Sequence, residues 1–289
     1  MKLHGHDIGV CSWSLRPGST SDLIERVRSL GLERVQLALA PLLELDDASR
    51  ANDIEQLRAS GLVLASGMIN FTGEDYSSIA VIRQTGGFVP DASWLERRDR
   101  ALAGSVVAQA LGMTQVSTHI GFIPQSNHEH YKVMVDRVIE VADAFKTRGL
   151  DLLMETGQET GNELLQFLND VGASHDVYVN FDPANMILYG AGDPTETIAT
   201  LGRHIANVHV KDAKRSDHPG VKWGTEVPFG SGEVSATLLL TALRDVGYTG
   251  PLVIEREAGE DRMEDIATAV EVVQAVKLPP EKMTDTDSN

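Results

Sequence analysis

The sequence predicts one α/β domain folded as a (β/α)8 barrel, and three observations carry that expectation. Eight short β-rich apolar runs, at residues 7–15, 34–40, 62–70, 114–121, 151–157, 177–185, 205–213 and 251–257, alternate with longer stretches of helical period. Crossover helices joining parallel strands produce this alternation. The length of 289 residues suits a single barrel, which takes about 250 residues, with room for loops. An open eight-stranded sheet would need two edges and a reversal of winding that nothing in the chain announces.

Taken in order, each repeating unit is a strand, a short loop, a helix and a glycine turn. Segments such as 21–30, 94–111, 131–148 and 236–246 carry apolar residues three or four apart, so each can bury one face against a sheet. Gly31, Gly61, Gly112, Gly149 and Gly247 follow helical stretches, where the backbone must turn left-handed before the next strand. Two insertions break the rhythm, 71–93 after strand three and 214–232 after strand seven. Both follow a strand, which places them on one rim. The barrel is expected to occupy 1–277, and the Pro-Pro and polar residues of 278–289 read as a flexible C-terminal tail.

With 42% hydrophobic and 23% charged residues the composition is that of a folded protein, which excludes a disordered chain, a collagen-like repeat or a coiled-coil rod. A formal net charge of −17 repels nucleic-acid backbones and anionic membrane faces, and no local basic patch overrides it. Cys11 is the only cysteine, so neither an intrachain disulfide nor a cysteine-rich zinc site can form. The first fifteen residues lack a signal-peptide apolar stretch, and no window has the roughly 18 apolar residues of a membrane span. The expectation is a soluble cytoplasmic protein.

Polar residues at the C-terminal ends of barrel strands face the active site of this fold. Strand five ends in Met154-Glu155-Thr156, strand six in Phe181-Asp182-Pro183-Ala184-Asn185, strand seven in His209-Val210-Lys211-Asp212 and strand eight in Glu255-Arg256-Glu257. Four successive strands thus each deliver one potential metal ligand: Glu155, Asp182, His209 and Glu255. Three oxygen donors and one imidazole suit Mn2+, Mg2+ or Co2+ better than the thiolate-rich sites of structural zinc. Converging carboxylates would be driven toward protonation unless a divalent cation sat among them. Lys211, two residues past His209, should point inward with it.

The order Glu, Asp-x-x-Asn, His-x-Lys-Asp and Glu at the ends of strands five to eight resembles the xylose isomerase-like superfamily, and within it the keto-sugar 3-epimerases and sugar phosphate isomerase/epimerases. The resemblance runs from Gly9-Val10-Cys11-Ser12 to Glu255. It implies one divalent metal, commonly manganese, with magnesium, cobalt or zinc as alternatives, held by Glu155, Asp182, His209 and Glu255. It implies that Glu155 and Glu255 double as proton-transfer carboxylates, and that Arg215 grips a substrate oxygen. Pro228-Phe229-Gly230-Ser231-Gly232 resembles a stretch at the barrel mouth of those enzymes, and Asn185 stands where they place a histidine.

The implied activity is isomerisation or epimerisation of a keto-sugar or sugar phosphate. A metal chelated by the substrate carbonyl and hydroxyl stabilises an enediolate while two carboxylates move the proton. A lyase or dehydratase acting on a keto-sugar, keto-inositol or 3-keto-glycoside shares the first half of that mechanism. A non-catalytic sugar-binding barrel and an endonuclease IV-like DNA repair enzyme are further alternatives; the latter resemblance implies a three-metal site with additional histidines that this chain does not supply. The expected partner is a small carbohydrate, with a homodimer or homotetramer as the assembly.

The remaining candidates carry a functional and a structural reading together. His119, ending strand four, contacts substrate or is hydrogen-bonded inside the wall. Asn70 and Gln158 bind substrate or belong to turns. Trp13, Phe71, Trp223 and Phe229 line a sugar pocket or pack under the insertions. Gly230-Ser231-Gly232 could cradle a phosphate at the usual barrel position. Cys11 is expected as a small buried wall residue.

Overall fold

The structure, a computed structural model, describes residues 1–280. Eight parallel strands form a closed barrel: β1 (His6–Cys11), β2 (Arg34–Ala38), β3 (Val63–Ile69), β4 (Gln115–Thr118), β5 (Asp151–Glu155), β6 (Val177–Phe181), β7 (Ile205–Val210) and β8 (Leu252–Ile254). Each pairs with its sequence neighbours, and the ring closes where Gly9 of β1 lies opposite both Val253 of β8 and Arg34 of β2. The expected fold and strand order are therefore observed. A short strand, Lys2–Leu3, pairs antiparallel with β1 through a tight turn at His4-Gly5, an addition the apolar pattern did not announce. Of the expected tail, 278–280 follow the last helix, Arg262–Ala275, without regular structure, and 281–289 lie outside the described residues.

The helices form the outer layer by burying one stripe each. In Tyr131–Lys146 the stripe is Met134, Val138, Val141, Ala142 and Phe145, spaced by three or four. Helix Gly161–Val171 starts with a reciprocal capping box between Thr160 and Glu163. The five glycines expected at helix exits take φ between 67° and 74°.

Both insertions sit at the C-terminal rim and acquire structure of their own. Residues 71–93 contain a helix, Ile79–Thr85, and 214–232 contain a strand, Thr225–Val227, that folds back antiparallel on Asp212–Lys214. They meet where Trp223 Nε1 donates to the Tyr76 carbonyl at 3.1 Å. The parallel ladder shifts register twice, between Val35 and Gln36 of β2 and between Val179 and Asn180 of β6. Such irregularities re-aim side chains next to functional sites, and here Gln36 and Asn180 both turn onto His209.

Candidate metal centre

Each expected ligand is placed by its own element. Glu155 is the last residue of β5, His209 lies near the end of β7, and Glu255 directly follows β8. Asp182 follows β6 and caps helix Pro183–Tyr189, its Oδ1 accepting the N–H groups of Ala184 and Asn185 at 2.8 and 3.0 Å. Proline in the first helical position suits this start, because its missing N–H needs no partner there. The cap occupies Oδ1 and leaves Oδ2 for the barrel centre, 3.5 Å from His209 Nδ1. The same helix delivers Asn185 one turn further on.

The four side chains are buried, and their ligand atoms all lie within 4.8 Å of one another. His209 Nδ1 is 3.1 Å from Glu155 Oε1 and 3.0 Å from Glu255 Oε2. Among the described residues none of Glu155 Oε2, Asp182 Oδ2, His209 Nδ1 and Glu255 Oε2 takes part in a well-directed hydrogen bond, although His119 Nε2 and Lys211 Nζ stand 3.1 and 2.9 Å from the two glutamate oxygens. Unpaired buried polar atoms cost about 1–3 kcal/mol each, more when charged, so four of them facing one another is an arrangement that a cation would satisfy. Burial opposes a charge on His209, yet Cys11, Glu255 and Glu155 hold its pKa well above the ordinary imidazole value. The excess negative charge thus draws a proton to the position a dication would take. Three carboxylate oxygens and one imidazole nitrogen fit a hard or borderline divalent ion.

His209 Nε2 is 2.6 Å from Gln36 Oε1 and 3.2 Å from Asn180 Nδ2, and Asn180 accepts in turn from Asn207 Nδ2. A proton on Nε2 shared with Gln36 leaves the Nδ1 lone pair for a metal. Cys11 Sγ lies on the Nε2 side, 3.7 Å away, and burial pushes its thiol up to about 12. Cys11 is thus the small buried wall residue expected from the sequence, on the side of the ring away from the carboxylate oxygens that face His209 Nδ1. Sequence patterns had no means of finding Gln36, Asn180 and Asn207, since all three owe their position to strand register.

Lys211 points inward beside His209, with Nζ 2.9 Å from Glu255 Oε2, 2.7 Å from Glu257 Oε2 and 3.3 Å from Asn185 Oδ1. Burial disfavours its ammonium, but Glu255, Glu257 and Asp182 hold its pKa well above the ordinary lysine value. His119 Nε2 is 3.1 Å from Glu155 Oε2, and Trp13 Nε1 donates to Glu255 Oε1 at 2.7 Å. Glu155, Glu255, His119, Asn185, Trp13 and Asn70 share the wall of a cavity of about 780 Å3 at the barrel mouth. Phe71 and Trp223 also line it, together with Tyr76, Tyr189 and Glu257, which the sequence pattern did not single out.

Four expectations end elsewhere. Arg215 does not line the cavity: beyond Lys211 the chain enters the two-stranded ribbon, and Arg215 is exposed, with its N–H bound to Glu233 Oε1 and its Nε 3.7 Å from Glu233 Oε2. Gln158 donates to the Gly121 carbonyl, and Phe229 is packed in the core. The Gly230-Ser231-Gly232 turn is not open to phosphate, because the Asp212 carboxylate accepts from the N–H groups of Gly230, Gly232 and Val234 at 3.0, 2.8 and 2.9 Å. A Cβ on Gly232 would fall 2.2 Å from Asp212 Oδ1, so this close approach requires glycine.

A family model described as xylose isomerase-like TIM barrel matches residues 24–276. The crystal structure of a xylose isomerase domain protein from Planctomyces limnophilus superposes with a TM-score of 0.83 at 30% identity, covering 94% of this chain and 95% of that one. Among curated proteins, an inosose dehydratase from Serratia proteamaculans is 29% identical over 152 residues, 46% of this chain and 50% of its own length. The L-ribulose-5-phosphate 3-epimerase UlaE of Escherichia coli is 42% identical over 96 residues, 32% of this chain and 31% of its own. The chain therefore spans half or less of the curated relatives it matches. With the family match running from the first helix to the last, the protein belongs to the xylose isomerase-like TIM-barrel family.

Proposed function

We propose that the protein is a divalent-metal-dependent enzyme that moves a proton on a carbon beside the carbonyl of a carbohydrate, epimerising or isomerising it. The division of the donor set carries this reading: Glu155 and Glu255 line the cavity, while Asp182 and His209 lie beneath it, fully buried. Asp182 and His209 would serve as ligands only, and the two glutamates as ligands that also reach substrate. Manganese is the preferred ion, with magnesium, cobalt or zinc as substitutes. When bound, the ion supplies Lewis-acid stabilisation of the negative charge that develops on the substrate carbonyl oxygen, worth several kcal/mol.

The chain's own groups handle the proton. Glu255 is held as a carboxylate: burial works against the charge, but Lys211 and His209 bring its pKa below the ordinary glutamate range. It is therefore unprotonated and available to take a proton from carbon, with the metal's acidification of the C–H bond making up for its low basicity. Glu155 reaches the cavity from the other end of the ligand arc, with His119 against its outer oxygen to receive or return the proton. Removal by one glutamate and return by the other inverts the carbon; return by the same group to the neighbouring carbon interconverts aldose and ketose. Asn70 and Asn185 would bind substrate oxygens, and Lys211, expected among the substrate contacts, would act from beneath the wall through Glu255, Glu257 and Asn185. The relatives' names supply a keto-sugar phosphate epimerase and an inosose dehydratase as analogies.

The test is Mn2+-supplemented incubation of ketoses in D2O followed by NMR. Deuterium should enter an otherwise intact sugar, and Glu155→Gln and Glu255→Gln should each lower exchange at least a hundredfold. Persistence of exchange in both variants would refute the assignment. A second reading, a metal-dependent lyase or dehydratase, is favoured by Asn185 in place of the histidine of the resembling epimerases and by the dehydratase relative. Loss of water or an aglycone in the same spectra would select it.

A further inference from the structure

The cavity above the ligand set is much larger than one monosaccharide fills. Its volume of about 780 Å3 lies in the upper part of the range of roughly 300–1,000 Å3 usual for small-molecule sites. Its charge is one-sided. Glu74, Glu155, Glu255 and Glu257 line it, and among the described residues no arginine or lysine does. The cations nearby are engaged: Lys211 with Glu255 and Glu257, Arg97 with the carbonyls of Gly87 and Thr72, Arg100 with the Asn70 carbonyl and Glu44. The turn after strand seven, where barrels of this type commonly bind phosphate, has its amides bonded to Asp212. With Glu155 and Glu255 committed to the metal, a phosphate entering this mouth would still meet Glu74 and Glu257, and, among the described residues, no free arginine or lysine on the wall and no open amide cradle.

What the mouth offers instead is aromatic surface. Trp13 adjoins the ligand set through Glu255, while Tyr76, Tyr189 and Trp223 form a second group where the rim insertions meet. The Tyr189 and Trp223 rings are 4.6 Å apart and edge-on, and Tyr76 and Trp223 are 6.5 Å apart. The Trp223 indole N–H donates to the Tyr76 carbonyl, which ties the two insertions together, and the rings, inclined at 32° and 69°, offer both faces and edges to a ligand. Aromatic faces of this kind pack against the apolar C–H faces of sugar rings and of aromatic aglycones.

We propose that the substrate is an uncharged, unphosphorylated carbohydrate of two rings, a disaccharide or glycoside, whose reacting keto ring sits at the Glu155–Glu255 wall while its second ring rests on Tyr76, Tyr189 and Trp223. This rests on the site proposed above and names the substrate class it takes. The acidic wall selects against phosphate, and the aromatic group supplies affinity that a single ring cannot reach.

Isothermal titration calorimetry on the Mn2+-supplemented protein tests it with D-fructose, D-fructose 6-phosphate and the neutral ketose disaccharides lactulose, maltulose and isomaltulose. At least one disaccharide should bind about tenfold more tightly than fructose, and fructose 6-phosphate more weakly than fructose. In Trp223→Ala the ratio of disaccharide to fructose affinity should fall toward one. Fructose 6-phosphate binding as tightly as fructose, or no disaccharide exceeding fructose, would overturn the proposal. Tight disaccharide binding without any C–H exchange in D2O leaves this substrate class standing and removes the proton-transfer reading. Exchange confined to fructose 6-phosphate does the reverse.

Discussion

Gln36 Oε1 stands 2.6 Å from His209 Nε2, the ring nitrogen that faces away from the three carboxylates. One contact sets the histidine tautomer and the direction of its Nδ1 lone pair. The contact exists because the β2–β3 ladder shifts register just before Gln36. Partners behind a ligating histidine are worth 10–100-fold in metal affinity. Gln36→Ala should therefore weaken Mn2+ binding by that factor while leaving the four ligands in place. Competition against a chromophoric chelator measures this, and unchanged affinity would show that the ring is oriented by its surroundings alone.

Metal removal should be visible in stability as well as in activity, because the donor atoms of Glu155, Asp182, His209 and Glu255 face one another, buried, in the folded state. Binding confined to the native state adds about 2.7 kcal/mol when the ion is at a hundred times its Kd. For a chain of this size that corresponds to roughly 4–5 °C in Tm. Chelation followed by add-back of Mn2+, monitored by scanning calorimetry, should lower and then restore Tm. A Tm indifferent to both steps would argue against a buried cation at this position.

The convergence of Glu155, Asp182, His209 and Glu255 was legible in the sequence because each stands at or near the end of an apolar run, and a run's end is a property of local residues. Asp182 was further marked by the proline and helix that follow it, and Lys211 by strand alternation with His209. Gln36, Asn180 and Asn207 were not legible, since their inward aim depends on which residue of the neighbouring strand they oppose. Arg215 was misplaced for a related reason: 214–232 read as a loop, whereas pairing of Thr225–Val227 with Asp212–Lys214 carries Arg215 off the mouth. Tyr76 and Glu257 reach the cavity from rim segments without regular structure, where periodicity carries no information.

Asp212 is buried and accepts from the amides of Ala213, Gly230, Gly232 and Val234. Asp212→Ala would strand these amides beneath the rim. The expected loss is about 3–5 kcal/mol, the order seen when one partner of a buried charged network is removed. Urea denaturation should show it as a lower midpoint at unchanged slope. A loss below about 1 kcal/mol would mean that water replaces the carboxylate at little cost.

Glu159 gives the fold a pH dependence separate from the ligand set. Its Oε1 accepts the Ile123 N–H at 3.0 Å, but burial outweighs that bond and pushes the carboxyl up to about 7. The native state therefore holds a proton that the unfolded chain, with an ordinary glutamate, has already released. Below about pH 4.5 both states are protonated and the group carries no penalty. As pH rises through about 7 stability falls, by on the order of 3 kcal/mol, and then levels off. Glu159→Gln keeps an acceptor for Ile123 and has nothing to ionise. Its stability at pH 8 should exceed that of the parent by roughly this amount, while the two should agree near pH 4.5. Urea midpoints at the two pH values decide the matter: parallel profiles for parent and variant would mean that Glu159 ionises in the folded protein as it does in water.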